Sequence, residues 1–265
     1  MNPVPLFLII VSLPLLLGGC GVEEPVADVK PVEEKVLEVK EEVKPVKEAP
    51  INLIKYKITG DEVAITSYDN EASGALTIPA TIEGKTVTSI GERAFYYCEG
   101  LTTITIPDSV TSIGKYAFSQ CRSLTSVTIG AGVTSIGYGA FAHCFILTSI
   151  TIPDSVTSIG DAAFSTCLRL ASITIPDSVT SIGNVVFLFC KSLTSITIPD
   201  SITSIGNQAF SDCEGLTTVT FLGDAPKEGD EVFSIATPTI YRKPEAKGWD
   251  DTFGGRPVKL ISEKP

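Results

Sequence analysis

The chain has 265 residues, 43% of them hydrophobic and 19% charged, and its 31 acidic against 20 basic side chains leave a formal net charge of -11. That length suits one sizeable domain, and the acidic balance offers no basic footprint for a nucleic-acid backbone. A single histidine, His143, and seven cysteines leave little material for histidine-based catalysis or a zinc site.

Residues 1–20 carry no charged side chain. The run from Val4 to Leu17 (VPLFLIIVSLPLLL) is apolar, but its 14 residues include two prolines. It falls short of the roughly 20 that span a bilayer and reads as the hydrophobic region of a signal peptide. It ends in Leu17-Gly18-Gly19-Cys20, which resembles the lipobox of bacterial lipoproteins: an aliphatic residue, two small residues, then the cysteine. The resemblance implies a 1–20 lipoprotein signal peptide and a diacylglycerol thioether on Cys20. It also implies export and lipid anchoring to the cell envelope. Gly21, in place of the aspartate that retains many such lipoproteins in the inner membrane, points to the outer membrane or cell surface. The lack of Lys or Arg in Met1-Asn2-Pro3 departs from the pattern.

Residues 21–50 are a low-complexity mix of Val, Glu, Lys and Pro, with nine acids and five lysines. Pro25, Pro31 and Pro45 oppose a helix. The segment reads as a disordered stalk; if extended, its ~30 residues would lift the domain beyond it by up to about 90 Å. A spacer of no selected length is the other reading.

The cysteines decide the fold. Cys98, Cys121, Cys144, Cys167, Cys190 and Cys213 are each 23 residues apart, and Phe95, Phe118, Phe141, Phe164, Phe187, Phe210 and Phe233 keep the same period. The string TIPDSVTSIG occurs at 105–114, 151–160 and 174–183, with one change, Ile202, in the copy at 197–206. Such self-similarity predicts a solenoid. In the coil 147–169, Leu147, Ile150 and Ile152 alternate with Ser149 and Thr151 as in a short strand with one face inward. Pro153 ends that strand, Asp154-Ser155 turn the chain, Val156 and Ile159 form a second apolar stretch, and Phe164 and Cys167 close the coil. One coil cannot bury its apolar face alone, so stacking supplies the core.

The pattern LxxIxIPxxVxxIGxxAFxxC over residues 51–265 resembles the BspA-like (Treponema pallidum-type) leucine-rich repeats of bacterial surface proteins. The resemblance implies a β-rich right-handed solenoid of short parallel strands, about seven coils over 51–235. An N-terminal cap at 51–75 would hold a hairpin around Gly60-Asp61, and a C-terminal cap would occupy 236–265. The first coil has five extra residues between Pro79 and Ile90. At the other end Tyr241, Trp249 and Phe253 are expected to cover the open core. Members of that family are implicated in adhesion to matrix proteins, host cells or other bacteria. That implies a non-catalytic, monomeric surface lipoprotein with a protein or glycan partner and no cofactor. A periplasmic envelope scaffold or a glycan-binding module is the alternative.

Several residue sets remain open to two readings. The cysteines are expected to point into the core from the wider, convex arc as buried thiols; disulfides or a metal are the alternatives, against which stand uncertain Cα separations and the absence of a C-x-x-C pair. Asp108, Asp154, Asp177 and Asp200 line up as turn caps or, less simply, a calcium row, interrupted by Ala131. The outward ladders Ser126, Ser149, Ser172, Ser195 and Thr128, Thr151, Thr174, Thr197 are good solvent-facing strand residues, or a hydroxyl-rich concave surface for an extended protein or glycan. On the convex side Tyr116, Tyr138, Phe145 and Phe189 are either loop packing or a partner patch.

Overall fold

The structure, a computed structural model, describes residues 47–264; the apolar run, Cys20 and the stalk ahead of Lys47 lie outside the described residues. Each coil passes through three segments, and each segment stacks on its equivalent in the next coil. In the first, the Leu-x-x-Ile-x-Ile motif forms parallel strands: Gly100–Thr105, Ser126–Thr128 and Ser149–Thr151 come after Ser73–Thr77. Ser195–Ile198 and Thr218–Phe221 continue farther on. Register advances by one repeat, Ile104 facing Val127 and Val127 facing Ile150, so every inward position meets its own kind and the isoleucines stay buried.

The second segment, which the sequence marks only as apolar, is itself a two-residue strand. Ser112–Ile113, Ser135–Ile136 and Ser158–Ile159 pair in parallel, as do Ser181–Ile182, Ser204–Ile205 and Lys227–Glu228. A threonine just before it reinforces the stack, the Thr134 hydroxyl donating to the Thr111 carbonyl at 3.1 Å. The third segment carries Phe and Cys. Its amides reach forward, Phe95 N–H to the Ala117 carbonyl at 2.7 Å and Phe141 N–H to Ala163 at 2.8 Å. The phenyl rings stack nearly parallel from Phe95 to Phe233, with centroids 4.9 to 5.8 Å apart. This side, too, is hydrogen-bonded coil to coil, as the strand sides are.

One coil departs from the expected strand ladder. Ser172–Ile175 belongs to no strand, although its isoleucines remain buried. At the same junction Ser158–Ile159 does not pair with Ser181–Ile182, whereas the Phe/Cys side is intact, with Phe164 N–H to Val186 at 3.0 Å. On the strand side the lapse coincides with Ala171. The equivalent Thr125, Thr148 and Thr217 each donate a hydroxyl to the preceding coil, at 2.9 to 3.1 Å. Ala171 has none, and its amide reaches Thr148 at only 3.4 Å.

Both ends are closed. The hairpin Lys55–Thr59 and Glu62–Ser67 turns at Gly60-Asp61, and its second strand starts the second ladder by pairing with Lys85–Ile90. The five extra residues of the first coil make the short antiparallel strand Thr81–Ile82 against Lys85–Ile90. Lys47–Pro50, read from the sequence as the end of the stalk, instead belong with the cap. The Ala49 amide donates to the Ala75 carbonyl at 2.7 Å and Ala75 N–H to Lys47 at 2.8 Å, which covers the edge of the first strand. Only glycine fits at position 74, where φ is +115° and a Cβ would lie 2.1 Å from the Lys47 carbonyl oxygen. At the far end Thr239–Arg242 and Arg256–Leu260 add two strands to the sheet. Trp249 and Phe253 pack on Phe221 with centroids 4.8 and 5.2 Å away.

Candidate functional site

Two faces present side chains in repeating columns. On the strand face the hydroxyls point outward as expected: Ser149, Ser172, Ser195, Thr128, Thr151, Thr174 and Thr197 are exposed and Ser126 is half-buried. The column ends at Thr220, buried beneath the C-terminal cap with the Lys264 ammonium 3.4 Å from its hydroxyl. Beside the unpaired coil, Ser172–Ile175, Ser195–Thr197 and Leu222 line a depression of about 310 Å³.

The Phe/Cys face is different in its two halves. Residues one repeat apart stack, and in the first coils those residues are aromatic or basic. The Arg93 guanidinium lies 5.6 Å from the Tyr96 ring centre and 5.5 Å from that of Tyr116, its equivalent one coil on. Tyr116 meets Tyr138 edge to face at 5.1 Å. Arg122 sits between Tyr97 at 5.8 Å and its own equivalent, Phe145, at 5.7 Å. Tyr96 and Tyr97 touch at 4.6 Å and join the two groups. Thus Tyr116, Tyr138 and Phe145 come together. Phe189, also singled out from the sequence, is exposed on a later coil and has no aromatic neighbour among the described residues. Sequence reasoning missed both arginines, although the signal was present: Arg93 and Tyr116, like Arg122 and Phe145, are one period apart.

In the later coils the corresponding column carries Asp161, Asn184, Asn207 and Asp230. There each side-chain oxygen caps the next coil: Asp161 accepts from Asn184 N–H at 2.8 Å, Asn184 from Asn207 at 2.8 Å and Asn207 from Asp230 at 2.9 Å. Of the expected aspartate row, Asp108 caps the Ala131 amide at 2.7 Å.

The six repeat cysteines are buried free thiols. From Cys121 to Cys213 each Sγ donates to the phenylalanine carbonyl of the coil before, at 3.0 to 3.3 Å. Burial pushes every one of them up, Cys98, Cys167 and Cys213 to about 12. They stay protonated and unreactive at neutral pH. His143, edge to face with Phe145 at 5.9 Å, has its pKa lowered by burial and then by the Arg122 charge.

Among the described residues no group of three or more His, Cys, Asp or Glu could hold a metal ion, and no helix is long and apolar enough to cross a membrane. A depression of about 550 Å³ by the C-terminal cap is bordered by Asp200, Asp224, Lys243 and Glu245. The Asp224 carboxylate there is taken up by the Lys247 amide at 2.7 Å, and Asp250 and Asp251 do not line it.

The model of the BspA-type leucine-rich repeat region matches in six copies over residues 75–190. Among solved structures, the T. pallidum leucine-rich repeat protein is 32% identical with a TM-score of 0.64, the match covering 70% of this chain and 87% of that one. A leucine-rich repeat protein from Bacteroides capillosus is 35% identical over 49% of this chain and 94% of its own, with a TM-score of 0.39. One from Bacteroides ovatus is 24% identical over 80% and 76%, with a TM-score of 0.44. No curated protein matches. Solenoids of this kind are binding scaffolds, since stacking fills the interior and leaves extended outer surfaces for partners. With its fixed 23-residue period, parallel strands and buried Phe and Cys columns, this chain belongs to the family of BspA-type leucine-rich repeat proteins.

Proposed function

We propose that the chain is an exported lipoprotein, anchored through Cys20, that displays its solenoid at the cell surface and adheres to an extended protein segment along the strand face without catalysing a reaction. The observation that carries this is the row of exposed hydroxyls from Thr128 to Thr197 on a face that nothing among the described residues covers. Strand spacing of about 4.8 Å gives that row a regular pitch, suited to a partner in extended conformation.

The test uses the full-length protein on immobilised matrix proteins, beside a variant with Ser149→Lys, Thr151→Lys, Ser172→Lys and Thr174→Lys. Saturable binding by the wild type and its loss in the variant, with melting unchanged, is the expected result. Binding that survives the four lysines removes the strand face from the proposal. The anchor is checked separately: palmitate is expected to label the wild type and to leave Cys20→Ala unlabelled.

A further inference from the structure

The Phe/Cys face of the first coils carries a second, independent surface. We infer that Arg93 and Arg122, with the tyrosines around them, form a subsite for an acidic polysaccharide, a polymer of carboxylate-bearing sugars. Each guanidinium is held between two aromatic rings, Arg93 by Tyr96 and Tyr116 and Arg122 by Tyr97 and Phe145. Neighbouring rings favour the cation, and arginine takes a carboxylate through two parallel hydrogen bonds. Among the described residues the Arg93 side chain makes no ion pair or hydrogen bond, while the Arg122 guanidinium pairs with Glu99 at 3.3 Å and donates to Gln120 at 3.3 Å. Arg93 is therefore the stronger anion receptor of the two.

The chemistry of the rest of the face selects the kind of partner. Its backbone amides are taken up between coils, as Phe95 N–H to Ala117, Tyr97 N–H to Ser119 and Tyr116 N–H to Tyr138 illustrate. Recognition on this face therefore falls to side chains, as it does on the strand face. These side chains are rich in donors: two guanidinium edges, the phenols of Tyr96, Tyr97, Tyr116 and Tyr138, and exposed Lys115 beside them. Tyr97 and Tyr138 are 39% and 41% exposed. They are flat amphipathic rings against which a sugar can lay its C–H face while its hydroxyls bond to the phenols. The later coils lack this chemistry, since Asp161, Asn184 and Asn207 stand where Lys115 and Tyr138 stand earlier. With a net charge of -11 the molecule as a whole repels a polyanion, so attraction has to be local.

Full-length protein is titrated onto immobilised polygalacturonate, neutral dextran and poly-L-glutamate at low and moderate salt. Binding to polygalacturonate is expected, at least five-fold weaker in Arg93→Gln, weakened less in Arg122→Gln, not restored by Arg93→Lys, and reduced by salt. Melting of each variant checks that the coils remain folded. Undiminished binding by Arg93→Gln, rescue by lysine, equal affinity for poly-L-glutamate, or no binding to polygalacturonate would each overturn the inference.

Discussion

A thiol at each Cys position accomplishes two things in a space that serine or asparagine would fill differently. It packs as a small apolar group in the core, and from Cys121 to Cys213 it donates to a phenylalanine carbonyl otherwise left with only the long Cys amide contact of its own coil, as at Phe141, where that amide lies at 3.4 Å, whereas the Cys98 thiol faces Asn70 Oδ1 at 3.7 Å. Because burial raises all six thiol pKa values from an ordinary 9.0, the folded chain keeps protons that the unfolded chain releases. The thiol contribution to stability is therefore complete below pH 9 and is lost as pH rises toward the folded values, which lie near 12 at Cys98, Cys167 and Cys213. Once the unfolded thiols are all ionised, six of them together remove about 8 kcal/mol per pH unit. Denaturant midpoints are expected to hold level from pH 7 to 8.5 and to collapse between about pH 9 and 11. Cys144→Ala with Cys167→Ala should make that decline shallower while costing stability at pH 7. A flat midpoint through pH 11 would show that the thiols do not govern it.

Period and alternation made the main elements legible. Leu147, Ile150 and Ile152 could only face inward together as a strand, and the Gly60-Asp61 hairpin was readable from two short apolar runs about a turn. The second ladder was hidden because two residues are too few to show alternation. The Arg93 and Arg122 contacts were hidden for another reason: an exposed arginine says nothing until the coil pitch brings up the aromatic residue one repeat away, Tyr116 or Phe145. The unpaired stretch Ser172–Ile175 was hidden in plain view, since TIPDSVTSIG is unchanged there and the one difference lies just before it, at Ala171. Ala171→Thr should supply the missing hydroxyl donor to the Thr148 carbonyl and stabilise the chain by about 1 kcal/mol, a rise of roughly 2–4 °C in a domain this size. Hydrogen exchange is the sharper measurement: the amides of Ser172–Ile175 are expected to exchange readily in the wild type and slowly in the variant. Equal exchange in both would acquit Ala171 of breaking the ladder.

In a solenoid each coil touches only its neighbours, so cooperativity across the molecule is limited by its weakest junction. That junction lies between the coils beginning at Leu147 and Leu170, where both strand ladders lapse and the coils are joined through the Phe/Cys side and by the Ser178 hydroxyl on the Val156 carbonyl. There the ring spacing reaches 5.8 Å between Phe164 and Phe187, and the Cys190 thiol still bonds the Phe164 carbonyl at 3.3 Å. The halves on either side also differ in chemistry, aromatic and basic before the junction and Asx-capped after it. Phe118 and Phe210 are fully buried, one in each half, and truncating either to alanine should cost about 3–5 kcal/mol locally. If the whole stack unfolded as one unit, both substitutions would move a single transition by similar amounts. With the junction weakened, Phe118→Ala is expected to bring forward only the half before Leu170 and Phe210→Ala only the half after it. Either variant should then turn one denaturation curve into two steps. Adding Ala171→Thr to Phe118→Ala should merge the steps again, because restoring the ladder restores the coupling. A single transition in both truncated variants would mean that the Phe/Cys ladder alone is enough to hold the molecule together as one cooperative unit.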